Sequence, residues 1–102
     1  MEINVQCEGS RVCFKVDGII DEQGAEVLKK RFEELDISQV KELVLDFGNV
    51  EYIGSSGVGK LLMFYKELAA NGGKLRIENV SGMVKELLTI TKMDTVFSVS
   101  SA

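Results

Sequence analysis

The sequence contains no histidine and no proline. Without histidine it lacks the residue most often used as a general base and as a transition-metal ligand, which argues against both kinds of site. No apolar stretch approaches the roughly 20 residues of a membrane-spanning helix. The first ten residues, MEINVQCEGS, do not have the character of a signal peptide. We therefore expect a cytoplasmic protein with no metal, no cofactor and no membrane partner.

The composition that remains is that of an ordinary globular domain. A chain of 102 residues can build a single hydrophobic core, and 45% apolar with 27% charged residues is typical of globular proteins. The formal net charge of −4 disfavours nucleic acid or an anionic membrane surface as the main partner. We expect residues 1–102 to form one domain, either monomeric or weakly dimeric.

Residues 2–16 have the pattern of a β-hairpin that turns at Gly9-Ser10. The register set by this turn makes one face wholly apolar (Ile3–Val16, Val5–Phe14, Cys7–Val12) and the other polar (Asn4–Lys15, Gln6–Cys13, Glu8–Arg11). Cys7 and Cys13 then lie on opposite faces and cannot form a disulfide, so both thiols should be free. Because Cys13 is placed on the polar face, it is predicted to react faster than Cys7.

Hydrophobic periodicity predicts three helices in the rest of the chain. The first would have Asp21 as its N-cap and run to about Leu35. The second would begin at Ser55-Ser56 and stop at Asn71-Gly72-Gly73, because glycine commonly follows a helix C-terminus. The third is expected near residues 82–91.

Strands are predicted between these helices at 43–47, 74–78 and 96–99. Gly48-Asn49 would form a turn followed by a loop, and Ser100-Ser101-Ala102 would fray. The order ββαβαβαβ predicts an α/β domain with a mixed, mostly parallel sheet of four to five strands and an N-terminal antiparallel hairpin. Right-handed crossovers and polar outer strand faces suggest that about three main helices cover mainly one face of the sheet.

The segment at 54–60, GSSGVGK, matches the phosphate-binding pattern GxxxxGK, in which backbone N–H groups cradle a nucleotide. Leu61 stands where a serine or threonine would hold magnesium, and the short chain leaves little room for the rest of an NTPase. A nucleophilic serine is disfavoured because Val58 replaces the last glycine of the GxSxG pattern and only Lys60 could serve as its base. Neither pattern identifies an enzyme.

Two further interpretations of the adjacent serines remain open. They can simply cap the helix, with Ser56 as the capping residue and Ser55 as the more exposed one. Alternatively, an exposed serine here can be a regulatory phosphorylation site, since a phosphate adds about −1.5 to −2 charge. The residues alone do not decide between a cap and a switch.

The segment LVLDFGNVEYIGSSGVGKLL at 43–62 resembles the signature of the STAS domain, in particular that of the stand-alone bacterial anti-sigma factor antagonists. VDGIID at 16–21 is similar to an early turn of that family, and NGGKLRIENVSGMVKELLTITKMDTVF resembles its later strand and last helix. The resemblance therefore covers essentially the whole chain. It implies a non-enzymatic regulator of transcription that binds an anti-sigma factor, which is itself a serine kinase, and is reset by a phosphatase.

The resemblance also implies the site. Ser55 would be phosphorylated, with Ser56 as the alternative, and phosphorylation would release the partner. The implied partner-binding residues are Asp21, Tyr52, Ile53, Gly54, Ser55, Ser56, Gly57, Val58 and Gly59. Gly54 replaces the aspartate that usually precedes the serine, which predicts less efficient phosphorylation, an altered partner or a domain that binds without being switched. The alternative functions are a STAS scaffold that is not phosphorylated, a nucleotide-binding module and, less favoured, a P-loop-like NTPase.

Overall fold

The computed structural model describes residues 1–101, which form a five-stranded sheet and three α-helices. The strands are β1 (Glu2–Glu8), β2 (Arg11–Ile20), β3 (Glu42–Ile53), β4 (Lys74–Val80) and β5 (Ser98–Ser101). The helices are α1 (Glu22–Glu33), α2 (Ser55–Ala70) and α3 (Gly82–Ile90). Short 3-10 turns at Ile37–Gln39 and Met93–Thr95 precede β3 and β5. The element order confirms the predicted α/β domain.

The strands lie side by side in chain order, with β1 antiparallel to β2 and every other neighbouring pair parallel. Right-handed crossovers between sequential parallel strands place all connecting helices on the same face. Buried side chains of all three helices accordingly share one core with one face of the sheet. Phe32 of α1 and Phe64 of α2 stack within this core, with ring centroids 4.1 Å apart. The expected one-sided covering of the sheet is confirmed.

The opposite face of the sheet carries polar side chains linked by ion pairs. Glu42 lies 3.0 Å from Arg11 and 3.8 Å from Arg76, and Arg76 lies 3.0 Å from Glu78. Such partly exposed pairs each contribute at most about 1 kcal/mol. Val44 is buried on this face outside the main core, because side chains of the neighbouring strands flank it.

The hairpin forms as the sequence predicts, with all six expected cross-strand pairs present. Both cysteines are free. The exposure on which the predicted order of reactivity depended is reversed, however, because Cys7 is exposed at the outer strand whereas Cys13 is half-buried between β1 and β3. Burial, and then the negative charges of Asp46 and Glu78, raise the pKa of the Cys13 thiol.

The middle strand changes its repeat halfway along. Every second residue from Leu43 to Phe47 joins the main core, but the next core positions are Val50 and Ile53, three residues apart. The predicted turn at Gly48-Asn49 and the loop after it are therefore wrong, because β3 continues as a strand to Ile53.

Two bulges explain the change of repeat. The register of β2 with β3 shifts by one residue twice, as shown by the pairs Lys15–Asp46, Asp17–Asn49, Gly18–Val50 and Ile19–Tyr52. Each extra residue in β3 leaves two consecutive positions without core contact and bends the strand. Because the bulges interrupt the alternation of apolar and polar residues, residues 48–53 do not show the sequence pattern of a strand and were predicted to be a turn and a loop.

The end of α2 agrees with the prediction, whereas the bounds of the final strand differ from it. Gly72 (φ +77°) ends α2 as predicted, with the Gly73 N–H donating to the Leu68 carbonyl at 2.7 Å. The final strand begins at Ser98 and includes Ser100 and Ser101, which were expected to fray. Ala102 lies outside the described residues. Within residues 1–101 no helix is long and apolar enough to cross a membrane.

Candidate functional site

The carboxyl ends of β2 and β3 bring the two predicted site segments, 17–21 and 52–56, into contact. Ile19 lies opposite Tyr52 in the register, and Ile20 lies opposite Ile53. The Gly54 N–H then donates to the Ile20 carbonyl at 2.9 Å, which extends the pairing to the residue before α2. The starts of α1 and α2 are therefore held side by side at one edge of the sheet.

Close packing beneath α2 requires Gly57. A Cβ atom at this position would lie 2.6 Å from Ile53 Cγ1 and 2.7 Å from Ile20 Cγ2, distances that real contacts do not reach. Ile20, Ile53 and Gly57 are all buried. These three residues form a packed layer beneath the start of α2. Gly59, by contrast, is exposed and has open space around it.

The first turn of α2 has no side-chain cap. Its N-cap residue is Gly54, in an extended conformation (φ −97°, ψ −179°), and Ser55 and Ser56 lie inside the helix as its first two residues. The prediction that Ser56 caps the helix is therefore wrong. Ser55 is exposed, and Ser56 is exposed as well, so the expected difference in exposure between the two serines stays a prediction.

The neighbouring helix shows the contrasting arrangement. Asp21 is the N-cap of α1, as predicted, and its Oδ1 accepts from the Gly24 N–H at 2.8 Å. The Tyr52 hydroxyl lies only 3.1 Å from the position of a Gly54 Cβ, so the tyrosine ring lies against the place where a capping side chain would begin. The N–H groups of the α2 first turn thus have no side-chain cap and lie beside two exposed hydroxyls.

Two large apolar side chains are exposed next to these serines. Ile19 is 49% exposed and Tyr52 is 41% exposed, and they are cross-strand neighbours. Ile19 was not singled out from the sequence, although the signal was present: two consecutive isoleucines at a strand end cannot both face the core. We call the patch made of Ile19, Asp21, Tyr52, Gly54, Ser55 and Ser56 the serine surface.

Charged side chains of both signs border the serine surface on the side of α1, where Lys30 lines the same groove as the acidic residues. Glu22 and Glu26 line a shallow open groove beside Asp21, and Glu26 Oε1 lies 3.9 Å from Lys60 Nζ of α2. Within the described residues, 1–101, no group of three side chains is arranged to hold a metal ion.

The geometry does not fit a phosphate-binding loop. Residues 55–60 of the GxxxxGK match are already helical, so no loop is present between the strand and α2 to wrap around a nucleotide phosphate. Lys60 extends towards Glu26, half-buried, instead of towards the helix start. The loop that was predicted after Gly48-Asn49 is not present either, because β3 leads directly into α2.

Comparison with known proteins places the whole chain in one family. The sequence model of the STAS domain matches residues 2–102. The anti-sigma-B factor antagonist of Bacillus subtilis (strain 168) is 29% identical over 103 residues, which cover 99% of this chain and 94% of that protein. The anti-sigma F factor antagonist of Paenibacillus polymyxa is 24% identical and covers 89% of this chain and 80% of its own length.

Solved structures share the fold at lower identity. An anti-sigma factor antagonist assigned in Thermotoga maritima superposes with a TM-score of 0.89 at 19% identity, covering 98% of this chain and 86% of the other. The Bacillus cell fate determinant SpoIIAA in its phosphorylated form gives a TM-score of 0.76 at 18% identity, covering 98% and 92%.

Proposed function

The chain belongs to the STAS domain family, and on that premise we propose that it is an anti-sigma factor antagonist that binds its partner through the serine surface. The observation that carries the proposal is the exposed Ile19–Tyr52 pair lying beside the exposed Ser55. Apolar and aromatic side chains that stay exposed in a folded domain are typical anchors of protein interfaces. Antagonists among the relatives support the assignment.

The proposed activity is binding without catalysis. The exposed side chains at the site include the two serine hydroxyls and the Tyr52 ring, and no hydrogen bond joins either serine hydroxyl to a base within residues 1–101. The border on the side of α1 carries Glu22 and Glu26 together with Lys30, so a partner there would meet charges of both signs around an apolar centre.

Phosphorylation of Ser55 by the anti-sigma factor acting as a kinase would switch the antagonist off. A phosphate at the start of α2 gains only about 0.3–1 kcal/mol from the helix dipole. Burying its charge unpaired in a docked interface costs about 2–5 kcal/mol. The interface cost exceeds the dipole gain, so the phosphorylated form should release the partner until a phosphatase restores the hydroxyl.

The test uses the purified chain with each candidate anti-sigma factor kinase of the source organism. Ser55→Asp should weaken binding at least tenfold, a change of about 1.4 kcal/mol, whereas Ser55→Ala should bind constitutively and take no phosphate. Ser56→Ala is the matched control, because its hydroxyl is also exposed and caps nothing. Calorimetry measures the affinities, and mass spectrometry identifies the modified residue.

Two results would count against the proposal. If no variant binds the anti-sigma factor, the antagonist assignment fails. If wild type binds but takes no phosphate, and Ser55→Asp binds as well as Ser55→Ala, the chain is a constitutive binder and only the switch is lost.

Gly54 offers a way to sharpen the switch. Its backbone conformation is open to any residue, and the Tyr52 ring that lies against it is exposed and can move aside. In Gly54→Asp the carboxylate can accept from the Gly57 N–H, as Asp21 does from Gly24 in α1. We expect a gain of a few tenths to about 1 kcal/mol in unfolding free energy and faster phosphorylation of Ser55, measured by denaturation and by a timed kinase assay. An unchanged rate would show that an acid here does not assist the kinase.

A further inference from the structure

Asp46 accepts two hydrogen bonds at the point where β3 leaves its regular repeat. Its Oδ1 receives the Gly48 N–H at 2.9 Å and the Asn79 side-chain amide at 3.0 Å. The first bond spans the first bulge of β3, and the second joins β3 to the end of β4, 33 residues further along the chain. One carboxylate oxygen therefore ties together two segments that lead to the starts of α2 and α3.

The bulge that Asp46 holds determines which residues reach the serine surface. Residues of a strand alternate between faces, so one extra residue moves every later side chain to the other face. With both bulges in place, Val50 and Ile53 are buried and Tyr52 is exposed beside Ile19. Without the first bulge, the end of β3 would be displaced by about 3.3 Å, the rise of one strand residue.

The side-chain amide that donates to Asp46 belongs to a residue with an unusual backbone conformation. Asn79 has a left-handed backbone (φ +62°), a conformation that asparagine tolerates better than most residues. It is the last but one residue of β4, two positions before Ser81, the N-cap of α3. Asp46 is therefore bonded to a residue of another strand, outside the bulged segment of β3.

We propose that Asp46 is a positioning residue for the serine surface, which acts by holding the first bulge of β3 and thereby fixing where Tyr52, Gly54 and Ser55 lie. Its effect on the placement of these residues is a property of the fold; its effect on partner binding rests on the proposed function. Asp46 does not belong to the surface itself.

The proposed role requires an acceptor of the right shape and does not require a charge. Asparagine retains the Oδ1 acceptor for both the Gly48 N–H and the Asn79 amide. Asp46→Asn should therefore preserve the bulge, and Asp46→Ala should release it. A residue that acted through its charge would give equal effects in the two variants.

Amide hydrogen exchange at Gly54 measures the placement directly, because its N–H is bonded to the Ile20 carbonyl only while the end of β3 is in place. We expect Asp46→Ala to speed Gly54 exchange about tenfold relative to the Ile77 amide of the same variant, and Asp46→Asn to change that ratio by less than about twofold. Asp36→Ala is the matched control. Asp36 likewise accepts from the N–H two residues on, that of Ser38, but lies in the turn before β3.

Partner affinity is the second readout. Asp46→Ala should lower it about tenfold, while Asp46→Asn and Asp36→Ala should leave it within about twofold of wild type. An unchanged Gly54 ratio in Asp46→Ala, or equal effects of alanine and asparagine, would overturn the positioning role. Loss of binding in wild type with the exchange pattern as expected would instead reject the proposed function alone.

If Asp46→Ala does not fold, Asn79→Gly takes its place. Glycine keeps the left-handed backbone and removes only the amide that donates to Asp46. Faster exchange at Gly54 relative to Ile77 in this variant supports the positioning role of Asp46, and an unchanged ratio refutes it.

Discussion

The two halves of β3 perform different tasks with the same backbone conformation. In the first half, from Glu42 to Phe47, every second side chain enters the core and the strand pairs regularly with both neighbours. In the second half, from Gly48 to Ile53, two bulges make burial occur at every third residue, and pairing with β4 has ended at Asp46. The regular half supplies the core with side chains, and the bulged half exposes the side chains to which we assign partner binding.

The difference teaches how a small domain can present apolar side chains without losing its core. Each bulge places two consecutive residues outside the core while the next one returns to it. Val50 and Ile53 keep the strand anchored, so Tyr52 can stay exposed next to Ser55 on a rigid support. A flexible loop carrying the same residues would have to be ordered upon binding, at a cost in affinity.

Truncation of one aromatic side chain in each half is the strongest test of this division. Phe47→Ala removes a fully buried ring and should lower the free energy of unfolding by about 3–5 kcal/mol. Tyr52→Ala removes a 41% exposed ring and should change it by less than about 0.5 kcal/mol, while weakening the partner complex. Urea denaturation measures both, and similar losses of stability in the two variants would erase the distinction.

Two glycines of α2 test how tightly the end of β3 packs against this helix, as a rigid support for Tyr52 requires. Gly57→Ala would press against the buried side chains of Ile53 and Ile20 and should destabilise the domain by about 1–3 kcal/mol. Gly59→Ala enters open space on the same helix and should stabilise it by about 0.5–1 kcal/mol. Thermal unfolding should shift in opposite directions. If Gly57→Ala does not lower the stability, the Ile53 side chain can move aside at little cost, and the end of β3 is not a rigid support.

The smallest expected effect concerns thiol chemistry beside the regular half. Cys13 lies opposite Val44 and has a raised thiol pKa, caused first by burial and then by Asp46 and Glu78. Its thiolate fraction near neutral pH is therefore reduced, and labelling by a disulfide reagent should be slower at Cys13 than at the exposed Cys7. The single variants Cys7→Ser and Cys13→Ser separate the two rates.

Raising the pH should increase the Cys13 labelling rate over a higher pH range than that of an unperturbed thiol. Asp46→Asn removes one of the charges that raise the pKa and should accelerate the reaction. Equal rates for the two cysteines would show that β1 and β3 leave Cys13 more open than its half-burial indicates.

Local physical chemistry was enough to predict the regular parts of the protein from the sequence. A two-residue glycine turn and alternating side chains predicted the whole register of the hairpin. Periodicity predicted all three helices, and Asp21 was recognised as a cap because its side chain acts on a backbone group three residues away. The family signature located Ser55 at the start of the central helix.

Only the tertiary structure decided what lies between these elements. The bulges of β3 depend on pairing with β2 and on Asp46 reaching Asn79 across 33 residues, so no local pattern reveals them. The N-cap of α2 is Gly54 and not Ser56. The Gly54 N–H pairs with the Ile20 carbonyl, so the pairing of β3 with β2 continues up to the residue before Ser55, where the helix begins. Exposure of Ile19 and Tyr52 likewise follows from long-range register. A sequence determines periodic elements through neighbours in the chain, whereas the position and exposure of side chains at strand ends depend on neighbours in space.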